Sequence, residues 1–268
     1  MEGVMLINGV RSSGLDAMDR GLHYGDGVFR TLKAVAGEVR WWEDHFRKLA
    51  DDCAALSIPC PDRELLEAEV REIAAGPGVG VVKIIVTRGI GQRGYAMPAE
   101  AAPSRIVSGF PFSGRENRDV RVRWCELRLS HQPKLAGIKH LNRLENVLAR
   151  SEWDDADIAE GLLLDEAGRV ICGTMTNLFI VEQGGLITPD VSGCGIAGVT
   201  RSRIMHAAVQ HGQTASVEPI SRERLLAADG VLLCNSLVGI WRVAELGQKR
   251  WPNSGWAGKL RNWLDENN

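Results

Sequence analysis

Gly137-Ile138-Lys139-His140-Leu141-Asn142-Arg143-Leu144-Glu145-Asn146 sets one lysine among small, apolar and amide residues, just before a run of helical character. A lysine in such surroundings can act as a Schiff-base nucleophile, because desolvation lowers its pKa and frees the amine. Most lysines are solvated surface residues. The stretch alone therefore supports two readings of Lys139, and the rest of the chain has to separate them.

The chain has 268 residues, which suits two small domains or one large one. It is 44% hydrophobic and 25% charged, ordinary values for a globular protein. A net charge of −2 gives no electrostatic footprint for nucleic acid. Met1-Glu2-Gly3-Val4-Met5 lacks the basic and apolar regions of a signal peptide. No apolar segment approaches the ~20 residues needed to span a bilayer, so a cytoplasmic protein without membrane contact is expected. Cys53, Cys60, Cys125, Cys172, Cys194 and Cys234 form no C-x-x-C pair, which argues against a zinc site or a redox motif. They read as reduced, buried thiols. The six histidines show no metal-ligand spacing, and no metal is expected.

Periodicity predicts a strand at Val4–Asn8 and a hairpin of Val28–Val35 with Glu38–Trp41 around Ala36-Gly37. Phe46, Leu49, Cys53 and Leu56 recur at helical spacing up to Pro59. Leu66, Val70 and Ile73 mark a second helix, closed by Gly76-Pro77-Gly78. Strands follow at Val81–Thr87 and Ile106–Phe110. The polar, turn-rich segment 113–118 reads as a linker between an N-terminal domain, 1–112, and a C-terminal domain, 119–268, that carries Lys139. The second half opens with a strand at Val120–Trp124 and a helix at Leu141–Trp153. Strands at Gly161–Leu164, Val170–Ile171 and Asn177–Val181 are joined by tight turns. A helix near Thr200 carries Ile204, Ala208 and His211, and a strand at Val231–Leu233 runs into Asn235-Ser236. Helices and strands alternate irregularly with many hairpin connections, which indicates α+β rather than a doubly wound parallel sheet.

Gly89-Ile90-Gly91-Gln92-Arg93-Gly94 fits G-x-G-x-x-G. A dinucleotide site needs a helix to open directly after that motif, and Tyr95-Ala96-Met97-Pro98 does not provide one. A glycine-rich loop flanked by Arg88 and Arg93 suits an anionic small molecule, since guanidinium forks match carboxylates; a solvated turn would show the same residues.

Four segments, in order, change the weighing. Asp19–Thr31, Gly137–Asn146, Gly173–Phe179 and Gly198-Val199-Thr200-Arg201 resemble the signature segments of the class IV (fold type IV) pyridoxal-phosphate aminotransferase family. The likeness spans nearly the whole chain. Within that family, Thr87–Tyr95, Ile138–Glu145 and Leu233-Cys234-Asn235-Ser236 are most similar to the 4-amino-4-deoxychorismate lyase branch. The resemblance implies a two-domain α+β fold of the D-amino-acid aminotransferase type and a homodimer. It also implies a pyridoxal 5'-phosphate cofactor held on Lys139. Thr174, Asn177, Val199, Thr200 and Ser236 would bind the cofactor. Independently of any family, Gly198-Val199-Thr200 precedes a helix, whose first N–H groups and dipole favour a phosphate. A plain N-cap by Thr200 would look the same in sequence.

In the lyase reading, Lys139 then serves as general base at the amine-bearing ring carbon, the enolpyruvyl group leaves as pyruvate, and 4-aminobenzoate, a folate precursor, is formed. Thr31 is the candidate for relaying a proton to the departing group; a strand threonine without a chemical role would look alike. Arg88, Arg93 and Arg143 are candidates for substrate carboxylates. Two positions depart from the family pattern. Cys172 stands where a glutamate normally pairs with the pyridine nitrogen, and a neutral thiol keeps that nitrogen protonated poorly. Lys48 stands where an arginine normally binds the phosphate, supplying a point charge instead of a fork. An amino-acid transaminase of the same fold (D-amino-acid or branched-chain type) and a degenerate, non-catalytic binding protein are the alternatives.

Overall fold

The computed structural model describes residues 4–12, 14–114 and 116–266; Met1, Glu2, Gly3 and the linker residue Arg115, on which two of the expectations above partly rest, lie outside them. The chain divides into two units. One runs through Ser113 and takes in Ile138–Asn142; the other holds Gly114–Gly137 and the residues from Arg143 onward. The lysine segment thus packs with the first unit, where the sequence reading had put it in the C-terminal domain.

The first unit is built on β1 (Met5–Ile7), β2 (Val10–Arg11), α1 (Arg20–Tyr24), β3 (Gly27–Val35), β4 (Glu38–Val39), α2 (Trp42–Ala55), α3 (Arg63–Ala74), β5 (Val81–Thr87) and β6 (Arg105–Phe110). Its sheet has the order β2-β1-β6-β5-β3-β4. β3 and β4 form the expected hairpin, with Ala36 and Gly37 both at positive φ (51° and 86°), as a two-residue turn between twisted antiparallel strands requires. Along β3, Val28, Arg30, Leu32 and Ala34 are buried and Phe29, Thr31 and Lys33 are less so, the period-2 alternation of a half-covered strand. On α2 the buried set is His45, Leu49, Asp52 and Cys53, spaced i, i+4, i+7, i+8 as one helix stripe. Leu32, Leu49, Cys53, Leu66, Val70, Ile73, Val82, Ile84 and Val107 join in one core. Arg30 and Asp52 therefore occupy core positions, and a buried charge needs a partner; each supplies the other's.

No helix follows Gly94. Instead Arg20 donates to Gly94 O (3.0 Å) and Tyr24 Oη accepts from Gly94 N (3.0 Å), which ties the glycine loop to α1.

The second unit contains β7 (Asp119–Leu129), α4 (Leu144–Arg150), β8 (Ile158–Asp165), β9 (Val170–Gly173), β10 (Asn177–Glu182), β11 (Gly185–Pro189), α5 (Val199–Gln210), β12 (Ala215–Glu218), α6 (Arg222–Ala227), β13 (Gly230–Asn235), β14 (Gly239–Leu246), β15 (Lys249–Arg250) and α7 (Trp256–Glu266). The sheet order is β12-β11-β10-β13-β14-β7-β8-β9, with β15 paired to β14. Parallel pairs (β11·β12, β14·β7, β7·β8) sit among antiparallel ones, so the class is α+β with a mixed sheet. Leu162, Leu178, Ile180, Leu233, Trp241 and Val243 belong to one core cluster. Leu163, Ile171, Cys172, Cys125, Cys194 and Trp153 form another. Successive residues of β8, Leu162 and Leu163, enter different clusters because side chains alternate across a strand.

One expectation is corrected. The helix read at Leu141–Trp153 is only Leu144–Arg150: His140 pairs with Val28 and Leu141 donates to Gly27 O (2.9 Å), so sheet pairing takes the first residues. Past the helix, Trp153 Nε1 donates to Ile158 O (3.1 Å). The C-terminal tryptophans belong to a docked helix, with Trp256 and Trp263 buried on α7 and Trp263 stacked on His211 at 4.5 Å. Among the described residues no helix is long and apolar enough to cross a membrane.

Candidate active site

Lys139 is half-buried. Its carbonyl accepts from Phe29 N (2.9 Å) and its N–H donates to Asp52 Oδ2 (3.1 Å). Its ammonium lies 4.4 Å from the centroid of the Phe29 ring, over which Lys83 is also placed, at 5.4 Å. An aromatic floor attracts a cation by its quadrupole and excludes water at the same time. Thr31 lies two residues from Phe29 on β3, so both side chains leave the same face of the strand. It is half-buried and stands opposite Lys83 in β5.

Lys48 is committed to Asp52, one helical turn on. Burial, then the nearby Arg30 guanidinium, push the Lys48 ammonium down to about 8. Arg30 shares the same carboxylate. Sequence reasoning missed Asp52 and Arg30. The available signal was parity: Arg30 falls among the buried residues of an alternating strand, and Asp52 on the apolar stripe of a helix.

Arg88, one of the substrate candidates, has its donors engaged within the first unit. It is 3% exposed, and its donors go to both oxygens of Asp26 (2.8 and 3.0 Å) and to the carbonyls of Ser57 (2.7 Å) and Leu56 (2.8 Å). Burial would raise the Asp26 carboxyl, but Arg88 and Arg20 outweigh it and hold it below the usual carboxylate range. Arg88 is the brace of the first unit's loops. Arg93 is exposed.

In the second unit, α5 begins at Val199 with Gly198 as its N-cap, in extended conformation and without a side-chain cap. The first N–H groups of a helix have no intrahelical acceptor; here they leave a site suited to an anion. Thr200 is therefore not the N-cap. Its hydroxyl lies 3.2 Å from that of Ser236, so two hydroxyls stand at this helix end. A Cβ on Gly198 would fall 2.2 Å from Asn177 Oδ1, and Asn177 Nδ2 donates to Ile196 O (2.8 Å). Only glycine leaves room for that approach.

The turn 173–176 between β9 and β10 closes on Glu160, which is 0% exposed. Its Oε1 accepts from Gly161 N (3.0 Å), Thr174 N (3.0 Å) and Thr174 Oγ1 (2.5 Å). Its Oε2 accepts from Met175 N (3.1 Å) and Thr176 Oγ1 (3.0 Å). The turn's own carbonyls are taken by side-chain amides: Asn146 Nδ2 to Thr174 O (2.8 Å) and Asn235 Nδ2 to Met175 O (3.1 Å). The Thr174 hydroxyl is thus spent inside the protein. Glu160 was also missed; its signal was a carboxylate in the interior of β8, an otherwise apolar strand up to its terminal Asp165.

Cys172 is buried in the cluster of Cys125, Cys194 and Leu163. Burial drives its thiol well above the ordinary range, Glu160 and Cys194 push the same way, and Arg143 opposes. It is a neutral thiol. Arg143 is half-buried beside it, with Nη1 3.5 Å from Asn146 Oδ1.

Tested against pyridoxal phosphate, each unit taken by itself carries residues that fit part of the group. Lys139 supplies a positioned amine, and the uncapped start of α5, with Thr200, Ser236 and the glycine cradle at 198, suits a phosphate. At the position expected to meet the pyridine nitrogen there is an uncharged thiol.

The profile described as "Amino-transferase class IV" matches residues 27–246. The chain is 35% identical to the aminodeoxychorismate lyase of Vibrio harveyi, over 90% of each. It is 45% identical to the crystal structure of 4-amino-4-deoxychorismate lyase from Pseudomonas aeruginosa, with a TM-score of 0.94 and 98% of each chain covered. The branched-chain aminotransferase of Thermoproteus uzoniensis shares the fold, at TM-score 0.88, 20% identity and coverage of 98% and 94%.

Proposed function

The chain belongs to the class IV aminotransferases, and on that premise we propose that it is a pyridoxal-phosphate-dependent carbon–oxygen lyase. It converts 4-amino-4-deoxychorismate to 4-aminobenzoate and pyruvate, a step of folate synthesis. The observation that carries this reading is Lys139, half-buried with both its backbone groups paired, in a chain 45% identical to a lyase of that name.

Lys139 would hold the cofactor's aldehyde carbon, and the start of α5 with Val199, Thr200 and Ser236 would hold its phosphate. Asn177 shapes the cradle at Gly198, and Thr174 serves through its backbone in the Glu160-bound turn. When bound, the cofactor supplies an electron sink for the substrate amine's carbon. The Lys139 amine would take the proton from the amine-bearing ring carbon. Thr31, on the Phe29 face of β3, carries a proton to the departing enolpyruvyl oxygen. Arg143 and Arg93 are the candidates to meet the substrate carboxylates. The protein works as a homodimer in the cytoplasm.

Cys172 favours the lyase over a transaminase. A transaminase leans on the sink through a complete exchange of amino groups, whereas the lyase is helped by aromatisation of its product. Cys172→Glu is accordingly expected to tighten cofactor retention about tenfold, the worth of one hydrogen bond to a charged group at roughly 1.5 kcal/mol, and to raise turnover. Cofactor loss on dialysis, followed by absorbance, checks this. Unchanged retention would remove the significance assigned to the missing carboxylate.

The function is tested by supplying 4-amino-4-deoxychorismate and pyridoxal phosphate with no keto acid. One pyruvate per 4-aminobenzoate is the expected result. Amino transfer to a keto acid without pyruvate release would move the assignment to a transaminase. Neither activity, with no Lys139 adduct, would leave a binding protein.

A further inference from the structure

The backbone of the lysine segment can be accounted for group by group. Residues 139–141 lie along β3: Phe29 N donates to Lys139 O (2.9 Å) and Leu141 N to Gly27 O (2.9 Å), around the Val28–His140 bridge. Regular antiparallel pairing would turn the Lys139 N–H toward Phe29 O; it donates instead to an acceptor outside the sheet. Asp52 Oδ2 is that acceptor, at 3.1 Å.

Asp52 is 1% exposed and lies at the core-facing i+7 place of the α2 stripe. Its two oxygens are held by the Lys48 ammonium and the Arg30 guanidinium. Neither cation comes from the lysine segment: Arg30 is anchored in the middle of β3 and Lys48 on α2. The carboxylate is therefore fixed before it meets Lys139, and it meets Lys139 by the backbone, 87 residues along the chain.

We propose that Asp52 is a positioning residue for Lys139: its carboxylate, clamped by Arg30 and Lys48, takes the Lys139 N–H and so sets the direction in which that side chain leaves the backbone, toward the ring of Phe29. The proposal rests on the reading of Lys139 as the cofactor lysine. Lys48 thereby has a task inside the first unit, as the helix-borne half of the clamp. With the carbonyl held by Phe29 and the N–H by Asp52, rotation at Cα139 is restricted from both sides, and misplacement of a reacting group by about 1 Å is enough to cost roughly 100-fold in rate.

The competing role for Asp52 is neutralisation of two buried cations and nothing more. Three variants separate the two. D52N keeps an acceptor oxygen and loses the charge. D52A loses both. R30M/D52A loses the acceptor while leaving no uncompensated guanidinium, so that it folds where D52A does not. Each is given pyridoxal phosphate, reduced with borohydride and mapped by peptide mass; amide hydrogen exchange of peptide 138–142 is followed on the same samples.

In the wild type the adduct is expected on Lys139. D52N should retain it within about threefold, whereas D52A and R30M/D52A should lose it by tenfold or more, in line with the cost of misplacement, with faster exchange in 138–142 and protected α2 peptides in the double variant. Wild-type trapping and exchange in R30M/D52A would overturn the proposal while leaving Lys139 as the cofactor lysine. Equal impairment of D52N and D52A would also overturn it, in favour of charge neutralisation. A wild type that forms no Lys139 adduct would overturn the reading of Lys139 itself, and the proposal with it.

Discussion

Lys139→Ala is expected to reduce pyruvate release by at least about 10⁴-fold, the scale on which removal of a covalent nucleophile that also acts as general base is felt. The fold should survive the change. The bonds that place residue 139, from Phe29 N and to Asp52 Oδ2, are made by its backbone and remain available to alanine. What disappears is the ammonium over Phe29, worth about 0.5–1 kcal/mol. The melting temperature should therefore move by no more than about 4 °C, so that loss of activity reports chemistry. Lys139→Arg should be equally inactive, because a guanidinium does not give up its proton in a protein. A coupled pyruvate assay with calorimetry on the same preparations decides the matter; turnover within tenfold of wild type in Lys139→Ala would remove Lys139 from the mechanism.

Glu160→Ala is expected to have the largest effect on stability. Five donors converge on this carboxylate, three of them backbone N–H groups and two of them threonine hydroxyls. Burial raises the carboxyl's pKa, opposed first by Thr174 and then by the other donors. The hydroxyls can turn to new partners and the Thr174 amide also has Gly161 O at 3.1 Å, but the amides of Gly161 and Met175 lose this acceptor. Leaving buried donors without an acceptor costs about 1–3 kcal/mol each, with partial relaxation, which puts the variant roughly 3–5 kcal/mol below wild type. For a unit of this size the melting transition should fall by about 10 °C. Glu160→Gln should lie between, since it keeps one acceptor oxygen and turns an NH₂ group toward the remaining donors. Hydrogen exchange of the 161 and 175 amides is the direct readout, and unchanged protection in Glu160→Ala would refute the role given to this carboxylate. Because the turn 173–176 also receives Asn146 and Asn235, its loosening should reach the residues proposed to bind the cofactor in the second unit as well.

Much of the architecture was legible in local pattern. The alternation in β3, the Ala36-Gly37 turn and the stripes of α2 and α3 follow from period-2 and period-3.6 burial, and each appears where the residues place it. Short or edge elements were not legible: β12, β15 and α6 have too few residues for a period to register. The first turn of the helix expected at 141 was lost because the partner of His140 is Val28, more than 100 positions earlier, and pairing at that distance leaves no mark on local propensity.

The site divides in the same way. The chemistry of Lys139, the helix start at Gly198-Val199-Thr200 and the missing carboxylate at Cys172 stand in contiguous motifs, each a short stretch whose residue types carry the meaning. By itself the sequence determined the fold family, and it named the candidate nucleophile and the two departures from the family pattern. The tertiary structure alone decided which charges are spent: Arg88 on Asp26, 62 positions away, Lys48 and Arg30 on Asp52, and Glu160 on a turn 14 residues later. A hydrophobic period is written along the chain because backbone geometry repeats along it. The partner of a buried charge is chosen by desolvation, which acts on whatever the packed core brings within hydrogen-bond distance.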